Sequence, residues 1–208
     1  MHVDKPVFKE TLWEWRAFGI SVDPNSRRNI LSLPIKHGKS IKMLDRYICR
    51  VGCDINIKIR DQDLKVKNAH KKMHAGIQQW TTEVYNFPIS SAIFGSITKA
   101  LKMDLPGREI RDGEQLMSIL CQVTPSVRII NVQKRRELHR WPSDDRNGAL
   151  IEIAEINTPE KVTTIGIEHR NLEKVSRALE YLQLSSPSMK VLSYVECLRV
   201  WVQEKRLF

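Results

Sequence analysis

The sequence predicts an α+β protein built on an antiparallel sheet or barrel, and three observations carry that prediction. Roughly eight segments alternate polar with apolar residues, the period of two that a strand with two unlike faces requires. Segments of helical period interrupt them in the middle of the chain and close them at its end. Neither an internal repeat nor a break in composition divides the 208 residues, so the chain reads as one domain, 1–208.

Residues 8–18 open the series. Thr11, Trp13, Trp15 and Ala17 point one way, and Glu10, Leu12, Glu14 and Arg16 the other. Two tryptophans suit a face packed against helices. Residues 23–29 are rich in turn formers and read as a loop, and residues 30–35 as a second strand. The next strand begins near Leu44-Asp45-Arg46-Tyr47-Ile48 and leads into the most regular pattern of the chain. In residues 54–60 isoleucine alternates with polar residues, among them Lys58 and Arg60. After a turn at Asp61-Gln62-Asp63, the segment Leu64-Lys65-Val66-Lys67 repeats the alternation with two lysines on the polar side.

Residues 68–76 read as a polar connection and residues 77–85, with aromatic and β-branched side chains, as a strand. Within residues 89–103, Ile93, Ile97 and Leu101 recur at helical spacing. Asp112 with Gln115 three residues on resembles a capping box opening a short helix through Leu116, Ile119 and Leu120. A second basic strand spans residues 127–141 and turns through an Asn147-Gly148 signal into residues 149–156, which carry Glu152 and Glu155. Residues 163–170 alternate again, with Ile165 and Ile167 on one face and Thr164, Gly166, Glu168 and Arg170 on the other. Asn171 can cap a helix whose buried stripe is Leu172, Val175, Leu179 and Leu182. A terminal helix is expected over residues 189–202.

Charged residues make up 28% of the chain and hydrophobic ones 41%, a globular composition rather than a disordered one. The formal net charge of +10 calls for an anionic partner: nucleic acid, a phosphorylated small molecule or an acidic surface. Residues 1–6 have neither the hydrophobic core nor the cleavage site of a leader, and no apolar run approaches a membrane span, so a cytoplasmic protein without a membrane partner is expected. Cys49, Cys53, Cys121 and Cys197 lack paired metal-ligand spacing and read as buried thiols. The six histidines form no ligand pattern, and Trp80 and Trp141 read as packing residues.

Two arrangements of the polar strand faces remain open at this point. They can face solvent on a two-layer sheet, or line the inside of a closed barrel whose exterior is covered by helices. An interior lined by Lys58, Arg60, Lys65, Lys67 and the basic residues of 134–136 would repel itself unless filled by a polyanion. Glu14, Glu83, Glu152 and Glu168 would offset part of that charge and supply oxygen ligands for a hard divalent cation. As a surface patch, Lys134-Arg135-Arg136 would instead suit RNA, although a strand turns alternate side chains apart.

Several segments, in order, resemble the CYTH superfamily, the triphosphate tunnel metalloenzymes, which includes thiamine triphosphatase, inorganic tripolyphosphatase, class IV adenylate cyclase and RNA triphosphatases. Asp45-Arg46-Tyr47, then Lys58-x-Arg60, then Leu64-x-Val66-Lys67 resemble that family's D-x-Y, R-x-R and L-x-x-K segments. Lys134-x-Arg136, the acidic strand of Glu152 and Glu155, and the closing strand with Glu168 follow in family order, and Ser193-Tyr194-Val195 falls in the C-terminal helices.

The resemblance implies a closed antiparallel eight-stranded barrel, a tunnel with a polar interior. It implies phosphate binding by Arg16, Lys58, Arg60, Lys65, Lys67, Lys134 and Arg136. It also implies Mg²⁺ or Mn²⁺ held by Glu14, Glu152 and Glu168, with Glu14 and Glu168 catalytic through positioning of that metal. The expected activity is hydrolysis of a triphosphate-bearing small molecule, a phosphohydrolase reaction on an acid anhydride. Two departures oppose this. The family's first strand, E-x-E-x-K, is here Leu12-x-Glu14-x-Arg16, and Arg170 stands where a second acid of the closing strand belongs. Glu10 and Glu83 are the carboxylates available to compensate. The alternative is a non-catalytic module that binds nucleotides, polyphosphate or RNA after losing metal-binding carboxylates.

Overall fold

The computed structural model describes residues 5–36, 40–184 and 189–208; part of the leader reading, residues 1–4, lies outside them. Strands β1 (Phe8–Gly19), β2 (Ile41–Arg50), β3 (Ile55–Arg60), β4 (Asp63–Lys72), β5 (Gln78–Asn86), β6 (Val127–Trp141), β7 (Ala149–Thr158) and β8 (Val162–His169) pair antiparallel in the order β5-β4-β3-β2-β6-β7-β8-β1. Pairing of β1 with β5, from Phe8↔Val84 to Glu14↔Gln78, closes the sheet into a barrel of eight strands. A ninth strand, β9 (Met189–Val191), adds to the far half of β1.

Closure explains the alternation. In β3 the isoleucines turn outward under α2 (Ser91–Ala100) and α3 (Gly113–Val123), where Ile57, Ile59, Leu64 and Val66 pack with Phe94, Ile97, Leu116 and Leu120. On the opposite side, Trp15, Ala17, Ile151, Ile153, Ile165 and Ile167 are covered by Val175, Ala178 and Leu182 of α4 (Leu172–Leu182) and by Ile30 of α1 (Pro24–Leu31). Each fully buried isoleucine or leucine contributes roughly 1.5–3 kcal/mol relative to exposure, so the two helical coats hold the barrel wall. At one end α5 (Tyr194–Val202) packs Tyr194, Cys197, Leu198 and Trp201 against Phe18, Tyr47, Val132, Ile156 and Val162. That end is filled by apolar and aromatic side chains.

The caps follow the sequence. Asp112 accepts from the Gln115 amide (2.8 Å) and Asn171 from the Glu173 amide (2.7 Å). Three local expectations are corrected. Residues 23–29 are not a loop and 30–35 not a strand: Asp23 accepts from the Asn25 and Ser26 amides, Pro24 supplies the helical φ of the first turn, and α1 buries Ile30. Residue Ile35 makes only an isolated bridge to His139. Residues 68–72 are strand rather than connection, because β4 continues to pair with β5 as far as Lys72↔Gln78 past an irregularity between Ala69 and Lys71. The helix expected over 189–202 starts only after Ser193, whose hydroxyl and Glu196 form a capping box; β9 precedes it. Of the cysteines, Cys53 and Cys197 are buried whereas Cys121 is exposed. Among the described residues no helix is long and apolar enough to cross a membrane.

Candidate anion-binding cavity

The inward faces of the strands enclose a cavity of about 520 Å³. All ten residues singled out from the sequence line it: Arg16, Lys58, Arg60, Lys65, Lys67, Lys134 and Arg136 among the cations, and Glu14, Glu152 and Glu168 among the acids. They come from six strands, and period-two alternation brings them to one space. The same alternation sends Arg135 outward to Glu155 (2.8 Å) and Glu83 outward to Lys9 (2.7 Å). Glu83 therefore cannot replace a missing acid. Glu10 sits at the cavity wall but is held by Arg170 (2.8 Å), whose own side chain is 77% exposed.

Deepest in the site is a residue that sequence reasoning passed over except as part of a motif. Asp45, fully buried, accepts from Arg60 Nε and Nη2 (2.5 and 2.7 Å) and from Lys58 Nζ (3.3 Å), with Lys134 Nζ at 3.8 Å. Burial opposes its charge, yet Lys58, Arg60 and Lys134 hold its carboxyl well below the usual range. The available signal was period two: Asp45 shares a strand face with Tyr47. Tyr47 and Tyr194 stack at the floor (5.4 Å between centroids), and Lys58, Lys134 and Arg16 lie over their rings at 5.4, 5.2 and 4.8 Å. Asp63, read from the sequence as a turn residue, also lines the cavity and lies 3.6 Å from Lys65.

On the β1, β7 and β8 side the acids are already engaged. Arg16 donates from Nε to Glu14 Oε1 (2.8 Å) and from Nη1 to Glu152 Oε1 (2.9 Å). The remaining oxygens accept from Lys67 (2.9 Å) and Arg136 (2.9 Å). Against the cost of burial, Lys67 and Arg16 hold Glu14 down to about 2, and Lys134, Arg16 and Arg136 hold Glu152 well below its ordinary value. Glu168 behaves oppositely. It faces Glu14 across the β1–β8 pair, makes no hydrogen bond or ion pair within 4 Å among the described residues, and burial with the Glu14 and Glu152 charges raises its pKa. Burial and the neighbouring cations lower the pKa of Lys58, and burial lowers that of Lys134, against the pull of Glu152 and Asp45.

These donors do not fit a hard divalent cation, which needs several oxygens turned on one point. Every oxygen of Glu14 and Glu152 already accepts from a cation, Leu12 offers none, and Arg170 points to Glu10. Among the described residues, no group of three or more His, Cys, Asp and Glu could hold a metal ion.

No family model and no curated protein matches the chain. Among solved structures, a conserved hypothetical protein of Pyrococcus furiosus superimposes with a TM-score of 0.52 at 12% identity, over 88% of this chain and 98% of that one. A Hippeastrum protein, named as an adenylyl cyclase and described as having a dominant triphosphatase activity, superimposes with a TM-score of 0.50 at 10% identity, over 95% of this chain and 98% of that one. The chain has a CYTH-like fold. At these identities the likeness concerns the fold, and within this CYTH-like barrel the chemistry rests on the side chains described above.

Proposed function

We propose that the cavity captures the phosphate chain of a triphosphate-bearing small molecule, such as inorganic tripolyphosphate, a nucleoside triphosphate or thiamine triphosphate. The observation that carries this reading is the convergence of seven cations on one walled cavity with a donor left over. Arg136 Nε is buried without a hydrogen-bond partner. A buried donor on a guanidinium is costly to leave unmade, and a phosphate oxygen would satisfy it. Lys65, Lys67 and Arg136 keep side chains 21–23% exposed within the cavity and form the first contacts, with Lys58, Arg60 and Lys134 beneath them. A volume of about 520 Å³ suits a short phosphate chain better than a continuous nucleic-acid strand, the competing ligand.

The Hippeastrum neighbour's described triphosphatase activity supports a phosphohydrolase, the reading that would call on Glu14 and Glu168 with Mg²⁺ or Mn²⁺, which the engaged oxygens of Glu14 do not fit. The engagement of Glu14 and Glu152 with Arg16, Lys67 and Arg136 favours the second reading, a module that holds its anion without turning it over. One domain over residues 1–208, acting in the cytoplasm, is part of the proposal; the free cysteines suit a reducing compartment.

The test is phosphate release from tripolyphosphate, ATP and thiamine triphosphate with Mg²⁺, Mn²⁺ or EDTA, alongside thermal stabilisation by each anion, with a Lys58→Ala/Arg60→Ala control. Stabilisation that the control loses supports capture. Metal-dependent release lost in the control would select the hydrolase, and neither response would return the basic strands to a structural role.

A further inference from the structure

We propose that Arg16 is a resident cation standing where a CYTH-like barrel would otherwise take a divalent metal, and that the cavity therefore selects the free triphosphate anion over its magnesium complex. This rests on the anion-capture reading and adds to it the ionic form of the ligand.

The Arg16 guanidinium bridges Glu14 and Glu152, donates also from Nη1 to Thr164 Oγ1 (3.3 Å), and lies over the Tyr194 ring. With a side chain only 9% exposed, it is built into the wall rather than extended toward solvent. Its charge is more firmly fixed than in water: although burial opposes it, Glu14 and Glu152 raise its pKa well above the ordinary value.

Space has been cleared for this group. Gly166 faces Arg16 across the β1–β8 pair, and a Cβ at that position would lie 2.4 Å from Nη2 and 2.7 Å from Cζ. The glycine needs no positive φ here, and a side chain at this position would push the guanidinium from its place between Glu14 and Glu152. Leu12 and Arg170 complete the substitution, since neither adds an oxygen to the point where Glu14, Glu152 and Glu168 are nearest. A planar, permanently charged fork matches two carboxylates.

The consequence concerns the ligand. A metal site gains from a ligand that brings Mg²⁺, because the acids coordinate it. Here Glu14 and Glu152 are satisfied internally, and Lys58, Arg60 and Lys134 share the single carboxylate of Asp45, so the cavity keeps positive charge for an anion. Magnesium on the triphosphate reduces the ligand's negative charge and occupies the oxygens those residues would grip.

Two measurements on the full chain test this. Calorimetric titration with inorganic tripolyphosphate should give binding in EDTA, weakened by about tenfold or more when Mg²⁺ is in excess over the ligand. Tighter binding with Mg²⁺, or binding that requires it, would overturn the proposal while leaving anion capture standing. Absence of binding in both conditions would overturn both. The second measurement is paramagnetic resonance of free Mn²⁺ without any anion. Wild-type protein should leave the signal unchanged, whereas Arg16→Met, which frees one oxygen each of Glu14 and Glu152 beside Glu168, itself unpaired among the described residues, should quench it. Gly166→Ala, which pushes the guanidinium aside without removing a charge, should quench it as well and covers the case that Arg16→Met fails to fold. Stoichiometric Mn²⁺ uptake by the wild type, or none by a folded variant, contradicts a resident cation.

Discussion

Arg60 closes on Asp45 with two hydrogen bonds, Nε to Oδ1 and Nη2 to Oδ2, around a carboxylate that has no exposure to solvent. This pair joins β2 to β3 beneath the cavity, and Lys58 and Lys134 lean on the same acid. Asp45 is the counter-charge that allows three cations to be packed side by side.

Removing that counter-charge leaves the cations facing one another. Asp45→Ala should lower stability by about 3–5 kcal/mol, the cost of breaking a buried ion pair from one side. Urea denaturation of the variant checks this through its midpoint. An unchanged midpoint would show that Asp45 is dispensable to the cation cluster.

Ser193 fixes the start of α5. Its hydroxyl accepts from the Glu196 amide and Glu196 accepts from the Ser193 amide, which places Tyr194 at the cavity floor. Ser193→Ala should lower stability by about 1 kcal/mol, the usual value of such a cap. Thermal denaturation reads that loss; a midpoint equal to the wild type would remove the cap from the account.

The acids give stability a definite pH dependence. Glu14, Asp45 and Glu152 have folded pKa values held below their unfolded ones, so their contribution is complete above the ordinary carboxylate range. It declines as pH falls toward the folded value, which for Glu14 is about 2. Glu168 has the reverse sign: its raised pKa favours the fold in acid, and that contribution is lost as pH rises through the folded value. Glu168→Gln should therefore raise the melting temperature near neutral pH and leave it unchanged in acid. A neutral-pH melting temperature below that of the wild type would contradict this.

Ligand binding should carry protons with it. Lys58 and Lys134 have lowered pKa values in the free protein, and a phosphate beside them favours the charged form. Tripolyphosphate affinity should fall as pH rises above neutrality, and titrations in buffers of different ionisation enthalpy should report proton uptake. Proton release on binding would contradict the assignment of these lysines.

The strands were legible because their alternation is strong. Residues 54–67 and 163–170 state in sequence which side chains share a polar face, and closure of the sheet, which alternation leaves open, turns Lys58, Arg60, Lys65, Lys67 and Glu168 into the cavity. The segment 23–35 was misread because turn-forming residues also make helix caps. Asp23 and Pro24 start α1, and the burial of Ile30 that decides the matter depends on barrel contacts remote in sequence. Asp45 was hard to assign because a lone acid in a strand shows its value only when Arg60 and Lys134 arrive from neighbouring strands. The opposite locations of Glu152 and Glu155 follow from alternation, whereas the bridging position of Arg16 depends on a glycine 150 residues away, which no local pattern reveals.

The most direct test of the central claim is calorimetric titration of inorganic tripolyphosphate into wild-type protein and a Lys65→Ala/Arg136→Ala variant in EDTA. Lys65 is only 3.6 Å from a partly exposed Asp63, so its loss costs little fold stability and chiefly removes charge offered to a ligand. The account predicts one anion per wild-type chain and affinity reduced by roughly 1.5–3 kcal/mol or more per lost charged contact in a folded variant. No heat of binding to the wild type, or equal affinity in the variant, would contradict a triphosphate-binding cavity.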